Sequence, residues 1–338
     1  PISPNQYQEI GLSENSPNFD FLLKLCEVGF NNKILNNINK EKHQEYIDRY
    51  TYELKTIDEL GFIDYILMIW DICDFGNKNN IPRGPGRGSV CSSLVCYLSG
   101  ITEIDVIEHG TLFTRFLNKT RAKSKIVDGI KYIDGSLAPD IDQDQCYFRR
   151  PEIINYINEK YKGKTCKLLT TSTLSSKILI KDVLKTLEES TEQQANEASN
   201  LLEKEFGVPE EISKALKDNK NFQEWAENHK ETCKIACQLA GLIRGVGQHA
   251  SAILIAHDKI DEIIPLQLSN TKEVISSYDM YSASKILLKI DELGLKTVSL
   301  VNEVCKLIKI NQNSIDIRHP SIYKYLENFE HSYGIFQF

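Results

Sequence analysis

An α+β fold, with strands and helices on both sides of an all-helical insert, is predicted by three observations. Residues 42–60 place Ile47, Tyr50, Leu54 and Ile57 at steps of three, four and three, which is the period of an amphipathic helix. Short apolar runs at 165–169, 250–256, 274–278 and 286–291 have the length and composition of strands. Between the first of these runs and the others, residues 174 to about 242 read as helix throughout.

In chain order, Gly61 ends the first helix, because glycine readily takes the left-handed conformation that closes one. Residues 65–78 form a second helix. Asn79 and Asn80 then lead into Arg83-Gly84-Pro85-Gly86-Arg87-Gly88-Ser89, a turn whose glycines let the backbone approach an anion closely. Residues 90–98 read as a helix starting at Ser89. Residues 119–137 form a loop rich in Lys, Gly and Ser, and a helix over 151–161 precedes the strand at 165–169. In the insert, Leu179, Val183 and Leu187 share a face, as do Ala198, Leu201 and Leu202. Cys233, Ala236, Leu239 and Ala240 mark its last long helix. A helix over 295–308 follows the final strand, with Val298, Val301 and Cys305 on one side.

With 338 residues and 41% apolar content, the chain is long enough for two domains or one elaborate one, and has an ordinary globular composition. No run of about 18 apolar residues occurs, so neither a membrane span nor a signal peptide is expected. A net charge of −7 argues mildly against nucleic-acid binding, since phosphate contacts dominate such affinity. The distribution counts for more. Lys119, Arg121, Lys123 and Lys125 form one basic group; Arg149, Arg150, Lys160, Lys162, Lys164 and Lys167 form a second; acid concentrates in 188–231. One basic face is expected, although each group also reads as a solvated charge run. The nine cysteines are scattered, and Cys233 and Cys237 lack a matching ligand pair. They read as reduced thiols of a cytoplasmic protein, not as a zinc site.

Chemistry is concentrated in Pro139-Asp140-Ile141-Asp142 and in Lys289-Ile290-Asp291-Glu292-Leu293-Gly294. On an extended strand, Asp140 and Asp142 point to the same side. Asp291 closes the apolar run that reads as the last strand. Three carboxylates at neighbouring strand ends can hold two divalent cations roughly 3.5–4 Å apart, the arrangement used for phosphoryl transfer; Mg²⁺ is the hard cation that takes such oxygens. The Asp-x-Asp pair by itself is equally the mark of a solvated turn. The upstream glycine turn shifts the balance. A helix N-terminus is a ready phosphate site, and Arg87 adds charge-assisted bonds. The turn lacks the Lys-Ser/Thr of a Walker loop and does not match Gly-x-Gly-x-x-Gly. Together with the three aspartates it points to nucleotidyl transfer.

A family resemblance follows from these and further motifs. Ile81-Pro82-Arg83-Gly84-Pro85-Gly86-Arg87-Gly88-Ser89, Leu112-Phe113-Thr114-Arg115-Phe116-Leu117-Asn118, Pro139-Asp140-Ile141-Asp142-Gln143-Asp144, Thr173-Leu174-Ser175-Ser176-Lys177, Gly247-Gln248-His249-Ala250, Asp291-Glu292-Leu293-Gly294 and Gly334-Ile335-Phe336-Gln337 occur in one order. In that order they resemble the alpha subunit of bacterial DNA polymerase III, the C-family replicative DNA polymerases. The resemblance covers nearly the whole chain. It implies a polymerase beta-like nucleotidyltransferase palm, a mixed sheet flanked by helices, over 1–172 and 247–297, a helical thumb over 173–246, and the start of the fingers over 298–338. The family's other domains would fall outside this sequence, which reads as a fragment, and 119–137 as an insertion.

The resemblance also implies roles. Asp140, Asp142 and Asp291 match the catalytic triad that holds two Mg²⁺ ions. Gly88 and Ser89 match the Gly-Ser turn that holds the β/γ-phosphates, with Arg87 assisting; Ser89 is equally a helix N-cap. Arg115 and Lys289 match basic positions that stabilise phosphate charge, although Arg115 is equally a buried ion-pair partner. Lys177, Lys181 and Arg244 are candidates for template-primer phosphates, or a solvated helix face. His249 and Asp144 read as structural. Glu292 stands where the family carries an apolar residue, and either faces solvent or binds metal weakly. The implied partners are primer-template DNA, dNTPs, a sliding clamp and other replisome subunits, with no membrane. The alternative is a non-catalytic fragment of a split or degenerate replicase that binds primer-template or a partner; a non-templated nucleotidyltransferase is a third reading.

Overall fold

The computed structural model describes residues 2–118, 124–127, 130–133, 138–205, 207–316 and 319–327. The basic residues Lys119, Arg121 and Lys123, the side chain of Lys125 and the motif at 334–337 lie outside the described residues. The chain divides into two compact units, Pro1–Leu168 with Ala250–Leu266 and Ser276–Phe338, and Leu169–His249 with Gln267–Ile275.

The first unit begins with helices α1 (Pro4–Glu9), α2 (Asn18–Phe30), α3 (His43–Leu60), α4 (Ile63–Lys78) and the short α5 (Leu94–Leu98). Helix α4 is buried over most of its surface, with Ile66, Leu67, Ile69 and Ile72 wholly buried, while Asp71, Asp74 and Lys78 form a polar stripe along one side. Gly61, with φ +79°, closes α3. Within the stretch expected to be a loop, β1 (Ser124–Val127) and β2 (Ile130–Ile133) pair antiparallel, and β3 (Asp142–Cys146) and α6 (Arg150–Lys160) follow. β4 (Thr165–Thr173) leads into the second unit.

The helices of the second unit are α7 (Ser176–Glu188), α8 (Glu192–Asn200), α9 (Ile212–Asp218), α10 (Lys220–Asn228) and α11 (Lys230–Leu239). They close on Phe222, Ile180, Ala195 and Ala236. The stretch is not wholly helical: β5 (Lys204–Glu205) and β6 (Val208–Pro209) pair antiparallel between α8 and α9. Two-residue strands are too short to show alternation. Leu179 and Val183 are buried as expected, whereas Leu187 is exposed.

The chain continues through β7 (Ile243–Ile255), α12 (Ile260–Ile263), β8 (Leu266–Leu268), β9 (Val274–Ser276), α13 (Met280–Ala283), β10 (Leu288–Leu295), α14 (Lys296–Ile308) and α15 (Pro320–Leu326). Six strands form one sheet in the order β3-β10-β7-β4-β9-β8. It is mixed, because β10 runs parallel to β3 and antiparallel to β7. Among the described residues no helix is long and apolar enough to cross a membrane. All nine cysteines are free.

The second basic group does not form a free basic face. Arg149 pairs with Glu152 (2.8 Å), and Lys160 with the buried Asp71 (2.6 Å). Lys164 donates to the carbonyl of His257, and Arg150 to those of Glu292 and Ala250. Arg150 and Lys160 thereby join α6 to its neighbours.

A second buried carboxylate docks α3 on α5. Glu53 is wholly buried. It accepts from Arg49 Nε (2.6 Å), Ser93 Oγ (2.8 Å) and the Val95 amide (3.1 Å). Glu53→Ala leaves a guanidinium and two donors without this partner, and should lower the stability by about 3–5 kcal/mol, read as a shift of the urea midpoint.

Candidate active site

The parallel pairing of β3 and β10 sets Asp291 directly beside Asp142. Asp140, two residues before Asp142, lies on the same side of the chain. One carboxylate oxygen from each of Asp140, Asp142 and Asp291 lies within 4.8 Å of the other two. Their side chains are 61%, 22% and 9% exposed, so the cluster opens toward solvent at Asp140 and is anchored at Asp291. Asp291 Oδ1 accepts from Ser251 Oγ on β7 (3.1 Å).

Two cations flank the cluster. Lys289 Nζ is 2.7 Å from Asp291 and 3.6 Å from Asp140. It reaches both because Lys289 and Asp291 share a face of β10. Arg87 Nε is 3.4 Å from Asp142, and its Nη1 is 3.7 Å from Asp144. Burial pushes the Asp142 carboxyl up, and repulsion from Asp140 and Asp291 adds to this; Arg87 and Lys289 offset only part. Burial opposes the Lys289 charge, but its bond to Asp291 and attraction to all three aspartates outweigh that and raise its pKa. The site thus has an excess of negative charge made of hard oxygen donors, which suits a divalent cation such as Mg²⁺.

The glycine turn runs along the outer edge of β3. The Gly84 amide donates to the carbonyl of Asp144 (2.8 Å) and the Cys146 amide to that of Pro82 (2.9 Å). Gly86 has φ +142°, and a Cβ there would lie 2.8 Å from Cys91 Sγ, so both the backbone angle and the space demand glycine. The next residue is Arg87, which this bend turns toward Asp142. The helix expected to start at Ser89 does not form. Gly88–Ser92 is a 3-10 turn, Ser93 is extended, and α5 begins only at Leu94, capped by the Ser93 side chain. Arg87, not Ser89, precedes the 3-10 turn, and no side chain caps it. Val90 and Ser92 are buried under the turn, and a regular helix from Ser89 would carry them onto other faces.

Glu292 neither faces solvent nor joins the carboxylate cluster. Adjacent strand residues point to opposite faces, so Glu292 lies beneath the sheet, wholly buried, and accepts from Gln145 Nε2 (2.8 Å). Asp144 lies beside Arg87, 3.7 Å from its Nη1. Arg115 is exposed at the end of the 3-10 turn Phe113–Arg115 and forms no ion pair among the described residues. Lys177, Lys181 and Arg244 belong to the second unit. There Lys177 bonds to Asn200 (3.2 Å), Lys181 to Asn196, and Arg244 lies 3.7 Å from Asp182. Lys177 is lowered by burial and by the nearby charges of Lys204 and Lys181. His249 is half-buried on β7. The partner of Asp291 that sequence reasoning missed is Ser251. It comes from a separate strand, and no spacing in the sequence ties the two.

Burial pushes the Glu292 carboxyl up to about 7, against the smaller opposing effects of Gln145, Arg83 and Arg150. Between its ordinary value and that one, the folded protein holds a proton that the unfolded chain releases, so stability falls as pH rises through this window. Glu292→Gln should therefore gain stability on the wild type from pH about 4.5 to about 7; urea midpoints across that range read the sign.

The family model described as the bacterial DNA polymerase III alpha NTPase domain matches residues 20–294. The chain is 32% identical to DNA polymerase III subunit alpha of Aquifex aeolicus, over 94% of this chain and 29% of that protein. For the Campylobacter jejuni subunit the values are 31%, 99% and 27%, and for that of Ureaplasma parvum 34%, 87% and 29%. The chain thus spans less than a third of the length of these relatives. Across the strands, the glycine turn and the carboxylate cluster, it belongs to the bacterial DNA polymerase III alpha NTPase domain family.

Proposed function

We propose that this chain carries the nucleotidyl-transfer centre of a template-directed DNA polymerase, joining dNTPs to a primer 3′-hydroxyl during replication. The observation that carries this reading is the convergence of Asp140, Asp142 and Asp291 within 4.8 Å, flanked by Lys289 and Arg87. In this reading 1–172 and 247–297 are the palm of a polymerase beta-like nucleotidyltransferase, 173–246 the thumb, and 298–338 the start of the fingers. The helices α7 to α11 support the thumb assignment.

Asp140, Asp142 and Asp291 would hold two Mg²⁺ ions, which supply activation of the primer hydroxyl and neutralise the leaving pyrophosphate. Ser251 orients Asp291 by its hydrogen bond. Lys289 and Arg87, already placed at the rim of the cluster, present positive charge to the triphosphate. Gly88 and Ser89 offer backbone and hydroxyl donors to the same phosphates. Arg115, exposed at the end of its 3-10 turn, would stabilise charge on the phosphates. Lys177, Lys181 and Arg244 bind the phosphates of primer-template DNA. In the longer protein a sliding clamp and other replisome subunits are the expected partners, in the cytoplasm.

Primer extension with Mg²⁺ and four dNTPs, using the complete gene product, tests this. Templated extension should fall at least about a hundredfold in Asp142→Ala. A wild type that binds DNA without extending it would instead support a non-catalytic subunit. For the second unit, Lys177→Ala and Lys181→Ala should each weaken DNA binding regardless of sequence and reduce the slope of log affinity against log salt by about one.

A further inference from the structure

The loop that carries Arg87 is tied down by an arginine the proposed reaction does not use. Arg83 Nη1 donates to Cys73 Sγ on α4 (2.8 Å), to the carbonyl of Ile101 (2.7 Å) and to Oε1 of Gln143 on β3 (3.2 Å). Its Nη2 donates to the carbonyl of Gly100 (2.8 Å). One guanidinium thereby joins the glycine loop to α4, to the turn after α5 and to the strand that begins at Asp142. Arg has the rigid, multi-donor fork for such a task; Lys and Met do not.

Arg83 stands in a buried polar row under the carboxylate face. Gln143, Gln145 and Glu292 are each 2% exposed or less. Glu292 lies opposite Gln143 in the β3–β10 register, and Gln145 donates to Glu292. The loop, β3 and β10 bear the phosphate-binding residues, Asp142 and Asp291 respectively. Each also supplies a member of this row.

Two roles for Arg83 must be separated: counter-charge for buried Glu292, or anchor of the loop. The contacts favour the anchor. The hydrogen bonds of Arg83 go to a thiol, two carbonyls and an amide oxygen, and Glu292 Oε1 has no hydrogen-bond partner among the described residues. The charge of Arg83 acts on Glu292 only across space, alongside that of Arg150. The backbone bonds at Gly84 and Cys146, and that from the Glu103 amide to the Pro85 carbonyl (2.6 Å), keep the loop on the sheet without Arg83. They do not fix its side-chain plane relative to α4 and α5.

Resting on the polymerase reading, we propose that Arg83 is a positioning residue that sets Arg87, Gly88 and Ser89 against Asp142 for the triphosphate of an incoming nucleotide. Displacing a substrate-holding loop by about 1 Å can cost on the order of a hundredfold.

The test compares wild type, Arg83→Met and the double variant Arg83→Met/Glu292→Gln in the complete gene product. It reads KM and kcat for single-dATP incorporation, the urea midpoint, and Mg²⁺-dependent binding of dATP by equilibrium dialysis. Arg83→Met should raise KM about ten- to a hundredfold, with a smaller change in kcat. Glu292→Gln, by removing a buried charge, should return only part of the lost midpoint in the double variant, since the acceptors of Arg83 stay unpaired, while KM stays high. KM and midpoint returning together would overturn the proposal and make Arg83 a counter-charge only. An unchanged KM in Arg83→Met would overturn it too. A wild type that binds dATP without templated extension would remove the polymerase reading alone. Dialysis then decides for Arg83: weaker dATP binding by both variants sustains the role, and equal binding ends it. A wild type that neither extends nor binds dATP would end both.

Discussion

The site depends on one pairing: β10 lies parallel beside β3 with Asp291 opposite Asp142. That register forces carboxylates together against their repulsion. At separations within 4.8 Å, two such charges repel by on the order of 3–4 kcal/mol at an effective dielectric of about 20. The figure is smaller for Asp140, which is 61% exposed and screened by water. The surrounding residues are arranged to bear that cost. Lys289 bridges two of the aspartates, Arg87 faces the third, and Ser251 donates to Asp291. Burial first, and repulsion from Asp140 and Asp291 after it, hold the Asp142 carboxyl up, and that repulsion is what a divalent cation would relieve.

The same pairing places a second, buried chemistry on the other face. Alternation sends Asp142, Asp144 and Asp291 upward and Gln143, Gln145 and Glu292 downward. A sheet with carboxylates above would ordinarily rest on an apolar underside. Here part of the underside, beside the buried Ile141 and Ile290, is polar; it is joined by Arg83 to the glycine turn, and Arg150 donates to the carbonyls of Glu292 and Ala250. Buried ionic groups are weak stabilisers, so this row is better understood through the geometry it imposes than through energy it supplies. The helical unit behaves differently. Its core is apolar, around Phe222 and Ile180, and Lys177 and Lys181 are held by neutral asparagines, which leaves their charge uncompensated by those partners.

Much of the framework was legible in the sequence. The helical period of α3 and its glycine stop, the helices α4, α6 and α14, and the apolar runs of β7 and β10 all follow from local spacing. The Asp140–Asp142 pair is equally local. The expected helix at Ser89 failed because the segment is held by contacts from farther away: Arg49 of α3 donates to the Ser92 carbonyl, and Thr102 lies against Gly86, and no window around Ser89 contains either. Glu292 was misplaced for a related reason: its direction could be read from alternation, but what lies beneath the sheet could not.

What the sequence determined by itself is therefore what lies within a few residues: period, turn chemistry, and carboxylates on one strand face. Motif order added the family and, through it, Asp291. The tertiary structure alone decided which strand Asp291 would lie beside, that Ser251 would bond to it, that Lys289 would reach Asp140 as well as Asp291, and that Arg83 would lock the glycine turn. The physical reason is range. Backbone geometry couples residues a turn or a pleat apart, whereas these contacts join groups separated by as many as 149 positions, the offset from Asp142 to Asp291, and only strand pairing brings them into register.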